Sequence, residues 1–412
     1  MFKETSKELL NFLSKSPTAF HAVENYRQIL NADGFKELLE SEHWDIVPGG
    51  KYYVTRNNTS ILAFKVGTKL DNYSFNIVTS HTDSPTFKVK ENAEIEVKNK
   101  YTQLNTEGYG GMLCATWLDR PLSIAGRVLV SEGNSIVTKL LNIDRDLLMI
   151  PNVAIHMNRA ANDGFKYNLQ VDMLPLLSGG DDRQKDFKQI IADELGVKKE
   201  DILGHDLYLY NRMAPSIWGA NEEFISAGHL DDLQCGFASL KALLAGYNDE
   251  SIDIMACFDN EEVGSGTKQG ADSTLLRDTL IRINNALGKT EEDYHRALAS
   301  SFMLSADNAH AVHPNHPEHT DVTNCTYMNE GVVVKSHAGQ KYTSDGVSMA
   351  VVKSLASGAD VPLQYFANRS DKAGGSTLGN IAMAQASMNA VDIGLPQLAM
   401  HSSYETAGIK DR

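Results

Sequence analysis

From residue 228 onward, apolar runs of strand length alternate with stretches of helical period, and this alternation restricts the fold more than any other feature. "LDDLQCGFASLKALLAG" places Leu233, Phe237, Leu240 and Leu244 on one helical face. "IDIMACFDN" and "SFMLSAD" read as strands, "STLLRDTLIRINNAL" as a helix, "GGSTLGNIAMAQASM" as a Gly-rich turn into a helix, and "PQLAMH" as a short strand. Strands separated by helices need crossover connections, which predicts a largely parallel sheet covered on both faces. The N-terminal part fits the same plan. Leu9, Phe12 and Leu13 share one face of a helix that should stop near Ser16, before Pro17. "AFHAVENYRQIL" follows with a helical period, and strands are expected at 60–67 and 74–81.

Between about 87 and 227 the texture changes. "AEIEVKNKY", "SIAGRVLVS" and "KYNLQVDML" read as short alternating strands with Gly and Asn between them, and one helix, "RQKDFKQIIADELG", interrupts them. The expectation is a discontinuous α/β domain, residues 1–86 and 228–412, with a β-rich domain of residues 87–227 inserted into it.

A length of 412 residues suits this division. The net charge of −15 argues against a basic surface for nucleic acid or anionic membrane. No run approaches the roughly 18 apolar residues of a membrane span. Charges threaded through the first helix argue against a signal peptide. Cys114, Cys235, Cys257 and Cys325 form no CxxC pair and sit near apolar residues. They read as buried free thiols of a cytoplasmic protein.

Several predicted strands run into metal-binding residue types. "IVTSHTD" reaches His81, with Asp83 two further on; "MACFDNEE" reaches Glu261 and Glu262; "FMLSAD" reaches Asp307; "QLAMH" reaches His401. "GHLDD" adds Asp231 at a helix start, where a capping role is the plain alternative. In open α/β sheets ligands bind beyond the carboxyl ends of strands. Together these residues make a mixed nitrogen and oxygen set for a pair of zinc-like ions. They also give the adjacent acids of "DNEEVG" a reason: a cation neutralises Glu262, and Glu261 is left to act as general base on the attacking water.

Five stretches in order, "SHTDSP", "HLDDLQCGFASL", "DNEEVGSGTKQGA", "LSADNAHAVHPN" and "PQLAMHSSYETAG", resemble the motif series of the M18 metallopeptidases, the aspartyl aminopeptidases. The resemblance implies an α/β/α zinc-peptidase fold with an inserted dimerisation domain. It implies two divalent ions per subunit, Zn2+ or alternatively Co2+ or Mn2+. His81 and Asp307 would hold one ion, His401 and Glu262 the other, with Asp231 bridging, Glu261 as base and Asp83 orienting the His81 ring. It further implies preference for an acidic N-terminal residue, selected by Lys335 in "GVVVKSHAGQKY" with Tyr342 lining the same pocket. His156 in "IPNVAIHMN" would reach the neighbouring subunit's site. Dimers would assemble into a tetrahedral dodecamer.

His310, His313, His316 and His319 in "NAHAVHPNHPEH" read as a structural or interface loop rather than a metal tract. Gly374 and Gly375 precede a helix without the lysine pattern of a phosphate loop. The family pattern continues through a closing helix, whereas this sequence stops at "GIKDR", soon after His401. Two rivals share much of the reading: a dizinc hydrolase of other specificity (general aminopeptidase, carboxypeptidase or deacylase), and a self-assembling homologue without catalysis.

Overall fold

A computed structural model describes residues 2–180 and 186–411. The chain divides into two compact units: Met1–Asp83, Pro215–Met400 and Glu405–Arg412 form the first, and Ser84–Ala214 with His401–Tyr404 the second.

The first unit is built on a nine-stranded mixed sheet. At its centre three strands lie side by side in parallel: Ser251–Phe258, Ser74–His81 and Phe302–Ala306. Phe258 stands opposite His81, and Ser305 opposite Thr79, so the three carboxyl ends come out level. Crossover through helices forces this arrangement and delivers all three ends to one edge. The outer strands Lys51–Arg56 and Ser60–Val66 add antiparallel pairs, which makes the sheet mixed.

Helices cover both faces. Leu275, Leu276, Leu280 and Ile283 of the helix Leu275–Ala286 pack on one face against Phe64, Phe75 and Ile77. On the other, Leu233, Phe237 and Leu240 of the helix Leu230–Ala245 join Phe12, Tyr26 and Met255. The predicted apolar stripes are the buried ones, and each fully buried Leu is worth about 1.5–3 kcal/mol of transfer free energy. Gly236 faces this layer, where a Cβ would collide with the Tyr26 hydroxyl. A second, five-stranded sheet was not foreseen. Its strands, among them Ser216–Trp218, Phe224–Ala227 and Glu405–Gly408, have two to four residues each, too few to show a period. Through these pairings residues 215–227 belong with the α/β unit.

The second unit is a six-stranded antiparallel sheet. Phe87, Trp117, Leu122, Ile124, Leu207 and Leu209 form its core, joined by Phe187 and Ile191 of the helix Phe187–Leu195. Asp186 caps that helix by accepting the Gln189 N–H at 2.7 Å. The expected helix began at Arg183; Arg183–Lys185 lie outside the described residues. "KYNLQVDML" is not a strand. Asn168 and Asp172 turn it: the Asp172 carboxylate accepts the Asn168 N–H at 2.7 Å and the Asn168 side chain accepts the Gln170 N–H at 3.0 Å. Such local bonds outcompete a sheet ladder. Of the four thiols only Cys235 and Cys257 are buried; Cys114 and Cys325 are half-buried, because the segments around them are short turns and loops. Among the described residues no helix is long and apolar enough to cross a membrane.

Candidate metal centre

The level carboxyl ends of the three central strands assemble the centre. His81 is the last residue of Ser74–His81 and Asp307 follows Phe302–Ala306 directly. Glu261 and Glu262 lie three and four residues beyond the strand Ser251–Phe258, in a short 3-10 turn. Asp231 and Asp232 occupy the irregular first turn of the helix Leu230–Ala245. One ligand atom each from His81, Asp231, Asp232 and Asp307 lies within 4.8 Å of the others, and so do those of His81, Glu261 and Glu262. All four members of the first group are buried.

Backbone conformation helps to aim these side chains. Asn260 and His229 hold φ near +64° and +62°, the left-handed region that non-glycine residues seldom adopt, just ahead of Glu261 and Asp231. Asp83 is a clamp. His81 Nδ1 stands 3.1 Å from the Asp83 carbonyl and 3.4 Å from its carboxylate. The same carboxylate accepts the N–H groups of Glu261 and Glu262 at 3.2 Å each. One acid therefore orients a ring and fixes the turn carrying two others. His81 Nε2 points the other way, 3.5 Å from Asp231.

Three bracing residues escaped the sequence reading. Asp232 accepts the His81 N–H at 3.1 Å and the Asn308 N–H at 3.2 Å, tying two strand ends together. Asn308 donates to the Leu230 carbonyl at 2.9 Å, and Glu405 accepts the Asp231 N–H at 3.0 Å. The doubled acid in "HLDD" was a visible signal for Asp232; nothing local marks Asn308 or Glu405.

Electrostatics decides what this cluster requires. Burial alone would lower the pKa of His81, but its bonds to Asp231 and Asp83 and the charges of Asp232 and Glu261 raise it well above its ordinary value. Burial pushes Asp232 well above the carboxylate range, with His81 opposing and Asp307 and Asp231 adding. Burial likewise raises Asp307, opposed by Lys335 and His81. Glu261 is pushed up to about 8, by burial first and then by Asp307, Asp83 and Asp231 against the pull of His81. Protein groups alone answer the crowded negative charge by holding protons. A divalent cation answers it more fully, and imidazole with carboxylates is a donor set that suits zinc and its neighbours. The residues fit a metal.

Lys335, Tyr342, His156 and His401 remain to be placed. Lys335 is not an open cation. It is buried, its Nζ donates to the Asp307 carbonyl at 2.8 Å and lies 3.6 Å from the Asp307 carboxylate. Tyr342 is buried beside it, its ring centre 5.3 Å from Nζ. His156 is exposed in a turn of the second unit. His401 lies three residues beyond the strand Pro396–Leu398, in the segment that groups with the second unit, where its Nδ1 is 2.9 Å from the Gly111 carbonyl.

A mixed sheet with a His–carboxylate cluster at its carboxyl edge, in a chain that also carries a separate antiparallel unit, defines a metallohydrolase. Comparison narrows the class. The profile of the aminopeptidase I zinc metalloproteases (M18) matches residues 12–412. A probable M18 family aminopeptidase 2 of Clostridium novyi is 48% identical over 98% of this chain and 95% of its own length. A chain from the cryo-EM structure of the Ape4 and Nbr1 complex superposes with a TM-score of 0.96 at 35% identity, over 100% of this chain and 83% of its own. The S. cerevesiae mApe1 dodecamer gives 0.86 at 29% identity, over 100% and 94%. This chain belongs to the M18 family of metallo-aminopeptidases.

Proposed function

We propose that the protein releases acidic N-terminal residues from peptides, with Glu261 as general base and two divalent ions, zinc by preference, as cofactor. The observation that carries the reading is the gathering of His81, Asp231, Asp307, Glu261 and Glu262 at the edge of three parallel strands. His81 and Asp307 would hold one ion, Glu262 and His401 the other, and Asp231 both. Ions held there would supply Lewis-acid polarisation of the scissile carbonyl and a water made nucleophilic near neutral pH. The chain supplies the rest. Asp83 sets the His81 ring and the turn of Glu261. Glu261 takes the proton of the attacking water on its carboxylate and returns it to the leaving amine. Asp232 holds strand ends in place and receives no catalytic role.

Acidic preference rests on the family resemblance and on the positive charge of Lys335 beside the site. One observation favours broader specificity: Lys335 is already engaged by Asp307. A panel of aminoacyl amides separates the two. Aspartyl and glutamyl amides should exceed leucyl and lysyl ones in kcat/KM; the reverse order ends the acidic assignment. Glu261→Gln should lower kcat by roughly 10²–10⁴-fold at unchanged metal content. Near-normal turnover of that variant at full metal load removes Glu261 as the base.

The second unit is assigned as the dimerisation domain, with His156 acting across the dimer, and twelve chains as the full assembly by analogy with the mApe1 dodecamer. Free cysteines suit a cytoplasmic setting.

A further inference from the structure

The loop between the strands Ala309–His310 and Val332–Ser336 carries four histidines, and the structure gives them different environments. The His310 ring packs edge-on against Phe366. His313 Nδ1 accepts the Asn315 N–H at 3.2 Å. His316, Glu318 and His319 instead bring one ligand atom each to within 4.8 Å of one another, on the exposed surface.

The geometry of that trio is close to what one ion needs. His316 Nδ1 is 3.0 Å from a Glu318 carboxylate oxygen. The His316 and His319 rings stack with centroids 5.4 Å apart and planes at 24°. Ligands held about 2.0–2.2 Å from a tetrahedral ion stand roughly 3.4 Å apart. Small side-chain rotations therefore suffice, and the backbone is already set. Pro317 opens the 3-10 turn Pro317–His319. Arg369 donates to the Glu318 carbonyl while its fork holds Asp371 at 2.8 and 2.9 Å. Such prior fixing lowers the ordering cost of binding.

We propose that His316, Glu318 and His319 form a surface site for a divalent transition-metal ion of the zinc class, separate from the buried centre. Two imidazoles and one carboxylate select Zn2+, Co2+ or Ni2+ over Mg2+ and Ca2+, which take oxygen ligands. Water completes the coordination, since the trio is open to solvent.

The test compares proteins that share the same buried centre. Wild type, His316→Ala/His319→Ala and Glu318→Gln are equilibrated with the same excess of zinc, and bound ions are counted per chain. Wild type should hold one ion more than the double variant, and Glu318→Gln should bind that extra ion roughly tenfold more weakly by calorimetry. Turnover on an aminoacyl amide should match among the three, which checks folding. Equal ion counts and superimposable isotherms overturn the site. Because the count is a difference, it holds whatever number of ions the buried centre takes. Should the double variant fail to fold, the Glu318→Gln isotherm decides alone: no weakening overturns the site.

Discussion

Among the described residues of the α/β unit, one cluster joins His81 to several buried carboxylates and another joins two exposed imidazoles to a single carboxylate. Around His81 the acids are buried, their charges are poorly solvated, and His81, Asp232, Asp307 and Glu261 are all pushed towards holding protons. Around His316 the same residue types face solvent, and bulk water supplies most of the compensation. The lesson is that donor type marks where a metal can sit, whereas burial determines how much the protein depends on it.

The sharpest way to break this contrast is a matched pair of substitutions. Asp307→Asn removes a buried carboxylate of the proposed metal centre, and turnover should fall on the order of a thousandfold, equivalent to several kcal/mol of lost transition-state stabilisation. His319→Ala at the surface should leave turnover within about a factor of two. Steady-state kinetics at saturating zinc reads both, and comparable losses would erase the distinction.

A second experiment asks what the buried cation beside the centre does. Lys335→Met leaves the Asp307 carboxylate without its partner, and the cost of breaking such a buried pair is about 3–5 kcal/mol. Urea unfolding measures it. The same variant sharpens the functional reading. If Lys335 braces Asp307, kcat/KM falls alike for aspartyl and leucyl amides; if it selects acidic residues, only the aspartyl value falls.

The smallest effect lies away from both clusters. Burial lowers His21 to about 4, below its ordinary value near 6.5. The unfolded chain therefore binds this proton first as pH drops. The stability linked to His21 is present above about 6.5 and is lost as pH falls towards about 4. The fall of the urea midpoint between pH 7 and pH 5 should be shallower in His21→Gln; an unchanged slope denies His21 that share.

How much of this could be read beforehand depended on whether the cause was local. His81 and Asp307 were visible because an apolar run of strand length stops at each, and an ionisable residue buried there needs a partner. Glu261 and Glu262 were visible because adjacent acids after a buried strand need a counter-charge. Asp232, Asn308 and Glu405 were not, since each braces a segment more than seventy positions away. "KYNLQVDML" misled because its alternation is real, yet Asn168 and Asp172 spend their side chains on a turn. Four histidines at equal spacing look alike in the sequence, and only the 3-10 turn at Pro317–His319 separates the trio from the other two.

The sequence by itself determined the element types of the α/β unit, the break in texture that marks the second unit, and residue types whose donor atoms suit a metal. Those follow from hydrophobic period and donor chemistry, which are properties of neighbours along the chain. Tertiary structure alone decided that three strands end level, that Asp83 serves a ring and a turn at once, and that Lys335 turns inward to Asp307. Those outcomes depend on strand register and on desolvation, and neither exists until distant segments have packed together.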